Sequence, residues 1–334
     1  MPEANADESV IVATELKKSF KTRRGPVEAV RGVSIKVQRG EIFGFLGPNG
    51  AGKTTTLRML TTLLPIDSGS ARVAGYDVAT QPEQVRAHTG FVSQLGGTDP
   101  LATGRENLLL QGRLYGRAKT DVLARSEEIM DVLDLREFAD RKVQTYSGGQ
   151  IRRLDIALGI VHDPQVLFLD EPTTGLDPQN RANLWEHIRR LRERGTTVFL
   201  TTHYLEEADA LCDRLVIMDH GEVVIGGTPR ELKQRVAGDA VVITPRDHDP
   251  EKVAELACQE PYVRESSIEE GNTLRLYVED GSTALPQLLR LLDGAGIGVA
   301  SMSLSEPTLD DVFLRQTGRS LRDGEGGPAG KGKG

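Results

Sequence analysis

The chain of 334 residues contains no run of 18 or more apolar residues, so the sequence offers no helix long enough to span a bilayer. Its first residues, Met1 to Ser9, are acidic and lack an apolar stretch. That argues against a signal peptide and predicts a disordered N-terminus over 1–9. Cysteine is scarce. Cys212 and Cys258 stand far apart and form no CxxC pair, which excludes a disulfide framework and a zinc ribbon and fits a reducing cytoplasm. Basic residues are outnumbered, 41 Lys and Arg against 49 Asp and Glu, for a net charge of −8. Phosphate neutralisation along a polynucleotide needs clustered cations, so no nucleic-acid partner is expected.

Glycine, by contrast, is plentiful. Its 36 residues exceed the usual share of about 7%, which directs attention to loops that cradle phosphate. The length suits two domains. Between Val27 and Thr202, short apolar segments (Glu41–Leu46, Phe91–Ser93, Val166–Leu169, Thr197–Thr201) alternate with helical stretches. This alternation predicts an α/β core with a mostly parallel sheet, and residues 103–165 read as a helical subdomain. Val10–Ala13 starts a first strand. The basic segment Lys17–Arg24, ending at Gly25-Pro26, reads as a solvated hairpin loop, with contact to acidic lipid or nucleotide phosphate as the alternative. The first domain is expected over 10–237. Residues 238–317 predict a small α+β domain of βαββαβ order, and the Gly-rich, charged tail 318–334 predicts disorder.

Residues Gly47-Pro48-Asn49-Gly50-Ala51-Gly52-Lys53-Thr54 match GxxxxGK[ST], after the strand Ile42–Leu46 and before a helix predicted at Thr55–Leu64. Glycines let the backbone turn tightly and aim N–H groups at phosphate oxygens, and the helix N-terminus adds a favourable dipole. Lys53 is placed to bridge the β- and γ-phosphates, Thr54 to ligate Mg²⁺, and Thr55 to line the same loop. A dinucleotide fingerprint fits less well, because Gly50-Ala-Gly-Lys-Thr-Thr55 lacks the third glycine. Val166–Glu171 is an apolar strand ending in two acids, at the strand end where α/β sheets place ligands. Asp170 is the candidate Mg²⁺ holder. Glu171 is the candidate general base for a water.

Tyr146-Ser147-Gly148-Gly149-Gln150 opens a second helix, with Ser147 as cap and the glycines leaving room for an anion. With this motif in place the chain resembles the ATP-binding subunit of ATP-binding cassette (ABC) transporters. The resemblance rests, in order, on the phosphate loop 47–54, Gln94, Ser147–Gln150, the acidic strand 166–171, Gly175-Leu-Asp-Pro178 and His203. It implies that Gln94 contacts Mg²⁺ or the water and senses a transmembrane partner. It implies that Asp177 links two active sites, that His203 contacts the γ-phosphate, and that Phe20 stacks on adenine. It also implies a head-to-tail dimer in which the phosphate loop of one copy and Ser147–Gln150 of the other enclose each ATP.

Three stretches are similar to drug-resistance exporters of the daunorubicin type: Leu169–Pro178, Thr201–Asp209 and Glu306–Leu314. That family implies a separate multi-spanning permease, export of a hydrophobic drug or lipid-like molecule, and a peripheral position on the cytoplasmic face of the membrane. Two other readings stand beside it. One is a cassette ATPase acting on ribosome or DNA, and the other is a P-loop kinase, which gives Ser147–Gln150 no role.

Overall fold

A computed structural model describes residues 9–23, 25–235, 239–246, 249–269, 272–305 and 307–318. Of the disorder expected for 1–9 and 318–334, residues 1–8 and 319–334 fall outside the described residues, whereas Ser9 opens a strand and Gly318 caps the last helix. The chain divides into two compact units, a first that ends at Pro229 and a second that begins at Arg230.

The first unit is built around a six-stranded sheet. Its order is Glu222–Gly227, Arg214–Asp219, Ile42–Leu46, Thr197–Thr202, Val166–Asp170, Thr89–Val92. All neighbours are parallel except the edge pair Glu222–Gly227 with Arg214–Asp219, which is antiparallel. The strands Ile42–Leu46, Val166–Asp170 and Thr197–Thr202 are buried at every position, which is why their centres, Val166–Leu169 and Val198–Leu200 among them, read as apolar runs. Phe43, Phe45, Phe168 and Phe199 meet across these central strands, with Phe45 and Phe199 centroids 4.8 Å apart. Removing one such ring costs about 3–5 kcal/mol in well-packed cores. The register aligns the C-terminal strand ends: Leu46 pairs with Thr202 and Asp170 with Thr201. Residues 47, 171 and 203 therefore leave the sheet on the same side.

A second, antiparallel sheet has the order Gly25–Gln38, Ser9–Thr22, Ser68–Val73, Tyr76–Asp77. It corrects the loop expected over Lys17–Arg24. Pairing runs on through Phe20–Val27, Lys21–Pro26 and Thr22–Gly25, so the strand expected at Val10–Ala13 extends to Thr22 and Gly25-Pro26 lies within the next strand. Backbone hydrogen bonds hold these charged residues extended. Lys18 is also fixed laterally, with Nζ donating to Asp67 Oδ1 at 2.6 Å and to the Pro65 carbonyl at 2.8 Å.

The helical subdomain carries Gly104–Leu114, Lys119–Val132 and Gly148–Ile160. Thr103 and Ser147 each begin a helix with a reciprocal capping box. His162, which the sequence left without a role, is 2% exposed. Its Nε2 lies 3.0 Å from the Thr89 carbonyl oxygen, and its ring stacks on Tyr115 at 3.6 Å. Burial pushes its pKa from 6.5 down to about 4. The folded chain then binds fewer protons than the unfolded chain between those values. The stability this neutral His supports is present above pH 6.5 and is lost as pH falls toward 4. The expected slope is at most about 1.4 kcal/mol per pH unit. His162→Gln flattens that stretch of the pH dependence of thermal unfolding. An unchanged slope assigns the acid sensitivity to other groups.

The second unit follows the predicted βαββαβ order: Asp239–Pro245, Pro250–Ala257, Val263–Glu269, Thr273–Val278, Gly281–Gly294, Val299–Ser305. The sheet order is Val263–Glu269, Thr273–Val278, Asp239–Pro245, Val299–Ser305, all antiparallel. The first and third strands of the unit lie side by side at its centre, the ferredoxin-like arrangement. A last helix, Leu309–Thr317, starts at a Thr308 capping box, and its buried Asp311 accepts from the Tyr277 hydroxyl.

Candidate functional site

The strand Ile42–Leu46 runs directly into the phosphate loop, and the following helix spans Lys53–Leu60 rather than Thr55–Leu64. The earlier start follows from Gly52, the N-cap, which has φ +101°; a Cβ there would meet the Ala29 carbonyl oxygen at 2.5 Å. Only glycine fits that turn. The Gly47 N–H donates to the Thr202 carbonyl at 3.3 Å, tying the loop to the neighbouring strand. Lys53 is buried. Its Nζ donates to the carbonyls of Gly47 at 2.7 Å and Pro48 at 3.1 Å, and lies 3.7 Å from Glu171 Oε1. Burial pushes the ammonium pKa down, and Glu171 and Asp170 act against that shift.

Asp170 Oδ1 accepts from the Thr54 hydroxyl at 2.9 Å and from the Thr201 hydroxyl at 2.6 Å. Glu171 follows with φ +47°, a left-handed conformation that costs an ordinary residue about 1–2 kcal/mol. Its N–H is held at 3.1 Å by both the carbonyl and the hydroxyl of Thr201. This turn takes the carboxylate out of the strand and into the site. Oε2 accepts from Gln94 Nε2 at 3.4 Å and from the Thr174 hydroxyl at 3.3 Å, and Oε1 lies 3.3 Å from His203 Nδ1. The His203 imidazole holds this carboxyl below the usual glutamate range, against the opposite push of burial, with Lys53 adding to the effect. An ionised carboxylate in this position is equipped to take a proton from water.

The structure thus brings together Lys53, Thr54, Gln94, Asp170, Glu171 and His203, from four strand ends. Phe20 lies on the strand Ser9–Thr22, 39% exposed, with Lys18 Nζ 5.9 Å from its ring centre. Asp177 caps the helix Pro178–Glu193, accepting from the Asn180 N–H at 2.9 Å. Ser147 and Gly148 are exposed, and the Ser147 hydroxyl accepts from the Gln150 N–H of its own helix. Gly149 is where Asn180 closes in: a Cβ at 149 would come within 2.6 Å of Asn180 Oδ1.

Sequence reasoning missed Thr201 and Thr174, which orient the two acids. It also missed Arg152, a buried cation whose signal was a charged pair, Arg152 and Asp155, three residues apart on an otherwise apolar helix face.

Known proteins resemble this chain over most of its length. The ABC transporter family model matches residues 30–174, and that of the C-terminal domain of DrrA1-3-like ATP-binding proteins matches residues 227–317. The daunorubicin resistance ATP-binding protein DrrA2 of Streptomyces coeruleorubidus is 44% identical over 92% of this chain and 96% of its own. The Nod factor export ATP-binding protein I of Paraburkholderia xenovorans is 41% identical over 95% and 99%, respectively. A solved structure, the dimeric post-hydrolysis state of an ATP-binding cassette bound to ADP and Pi, aligns with a TM-score of 0.59 at 25% identity. It covers 65% of this chain and 98% of that one. With such identity over nearly its whole length, the chain belongs to the ABC transporter ATP-binding proteins of the daunorubicin-resistance type, a family of ATP-hydrolysing subunits of exporters.

Proposed function

We propose that two copies of this chain pair head to tail around ATP and Mg²⁺, and that ATP hydrolysis between them drives export of a hydrophobic drug or lipid-like molecule. The channel would be a separate multi-spanning permease, with this chain peripheral on the cytoplasmic face of the membrane. One observation carries the reading. The hydrolytic group around Glu171 is assembled within one chain, whereas Ser147 and Gly148, the second anion-binding motif, stand exposed. A partner's nucleotide is the natural occupant of that helix N-terminus.

The Thr54 hydroxyl and Asp170 carboxylate are hard oxygen donors 2.9 Å apart, a set that suits Mg²⁺. Bound there, Mg²⁺ would neutralise charge developing on the phosphates. Lys53 holds the β- and γ-phosphates once its ammonium leaves the loop carbonyls. Glu171 accepts the proton of the attacking water. Gln94 positions that water, and His203 orients Glu171 and meets the γ-phosphate. Loss of the γ-phosphate removes the charge-assisted contacts that join the copies, which then separate.

No helix among the described residues is long and apolar enough to cross a membrane. The segment after Gln94 exposes large apolar side chains instead: Leu95, Leu101, Leu110 and Leu114, with Leu95 98% exposed. Exposed apolar side chains of this kind suit a membrane-embedded partner. The relatives named for daunorubicin resistance and Nod factor export support the export reading. The test is affinity purification of the tagged chain from its native membranes, with mass spectrometry. A multi-spanning permease in near-equal amount is expected. Ribosomal or DNA-repair partners, with the chain absent from membranes, would overturn the transport reading.

A further inference from the structure

The helix Gly148–Ile160 buries two charged side chains on an apolar face, Arg152 and Asp155. Buried charge is costly unless it is fully partnered. Arg152 spreads its guanidinium over two loops. Nε donates to the Pro172 carbonyl at 2.7 Å, and Nη2 to those of Asp170 at 3.2 Å and Glu171 at 3.4 Å. Nη1 donates to the Ser93 carbonyl at 2.7 Å and lies 3.9 Å from Asp155 Oδ2. Asp155 Oδ1 accepts the Gly97 N–H at 3.0 Å, and a Cβ on Gly96 would come within 2.6 Å of Asp155 Oδ2.

Gln94 is therefore anchored on both sides by one helix, through Ser93 on Arg152 and Gly97 on Asp155. Glu171 is anchored by the carbonyls before, at and after it. Gln94 and Glu171 are the two residues whose side chains meet at 3.4 Å. The same helix begins with Ser147 and the glycine motif.

We propose that Arg152, with Asp155 as its counter-charge, is a positioning residue for hydrolysis: it sets Gln94 and Glu171 relative to the helix that carries Ser147–Gln150. Engagement of that motif by a second copy's nucleotide is then felt at the water-polarising carboxylate. The inference rests on the paired-ATPase reading above. Its hydrogen bonds all fall outside residues 47–54, so the phosphate loop binds nucleotide without it. The planar fork matters as well as the charge, because one lysine ammonium cannot serve carbonyls in two loops.

The experiment compares the full-length chain with Arg152→Gln, Arg152→Lys and the double variant Arg152→Gln/Asp155→Asn, each with its permease where turnover requires it. It measures kcat and KM for Mg·ATP, affinity for a fluorescent ATP analogue, and thermal unfolding. In all three variants kcat falls by about 10–100-fold, the scale of a small misplacement of reacting groups. KM and analogue affinity stay within about threefold of wild type. The double variant removes the buried unpaired carboxylate, so it reports on rate where Arg152→Gln alone folds poorly. Full turnover in a folded Arg152→Gln overturns the proposal, and so does full rescue by lysine, which would mean that charge alone suffices. Parallel loss of affinity and kcat, or loss of the folded state in the double variant, would make the pair merely structural and also overturn it. A wild-type chain that hydrolyses no ATP would overturn the underlying reading itself; a wild-type chain that does, beside unaffected variants, would remove only Arg152.

Discussion

Glu171→Gln stops turnover while leaving nucleotide bound: the rate of ATP hydrolysis falls by about 10²–10⁴-fold, the usual contribution of a general base. The amide keeps the size of the carboxylate and can still accept from Gln94 and Thr174, which now sit at 3.4 and 3.3 Å. It cannot take a proton. The Lys53 and Thr54 end of the site is unchanged, so affinity for ATP holds or rises as the negative charge near the γ-phosphate is removed. Single-turnover hydrolysis and equilibrium binding separate the two effects. Wild-type turnover in this variant would move the base elsewhere.

Lys53→Ala has the opposite pattern and loses both binding and hydrolysis. Lys53 is a buried ammonium held by two loop carbonyls, 3.7 Å from Glu171. Its burial already disfavours the charged form, and the neighbouring acids support it. An arriving triphosphate supplies a stronger counter-charge, so the ammonium moves from carbonyls to phosphate at little desolvation cost. Without it, Asp170 and Glu171 face the phosphates with no intervening cation. Removing one such preorganised donor lowers kcat by about 10²–10³-fold. Affinity falls as well, because the contact exists in the ground state too. Titration with a fluorescent ATP analogue and steady-state hydrolysis check both effects. Unchanged affinity would place the phosphates away from this loop.

The parallel core was legible because strands covered on both faces must be largely apolar, as Val166–Leu169 and Val198–Leu200 are. The phosphate loop and the acids followed from where those strands end. The hairpin was not legible. Lys17, Lys18 and Lys21 look like loop residues locally, yet cross-strand backbone bonds ignore side-chain charge, and Lys18 finds Asp67 far along the chain. The helix start was misjudged by two residues because a left-handed Gly52 caps it without any side-chain signal. Arg152 was equally hidden. Its charge was visible, but its carbonyl partners lie 18 to 59 residues away. Gln94, Asp177 and His203 were identified through family resemblance. The structure brings Gln94 and His203 to Glu171 and gives Asp177 a helix cap. In the second unit, alternation along Thr273–Val278 and the two amphipathic helices sufficed to give the order of elements along the chain.

The claim that two copies close around ATP is tested most directly by the solution mass of Glu171→Gln, by sedimentation or light scattering, with Mg·ATP and with Mg·ADP. The account predicts a two-chain mass with ATP that returns to one chain with ADP, and that is lost on adding Ser147→Arg, which blocks the exposed motif. A single-chain mass at saturating ATP, or pairing indifferent to Ser147, would contradict it.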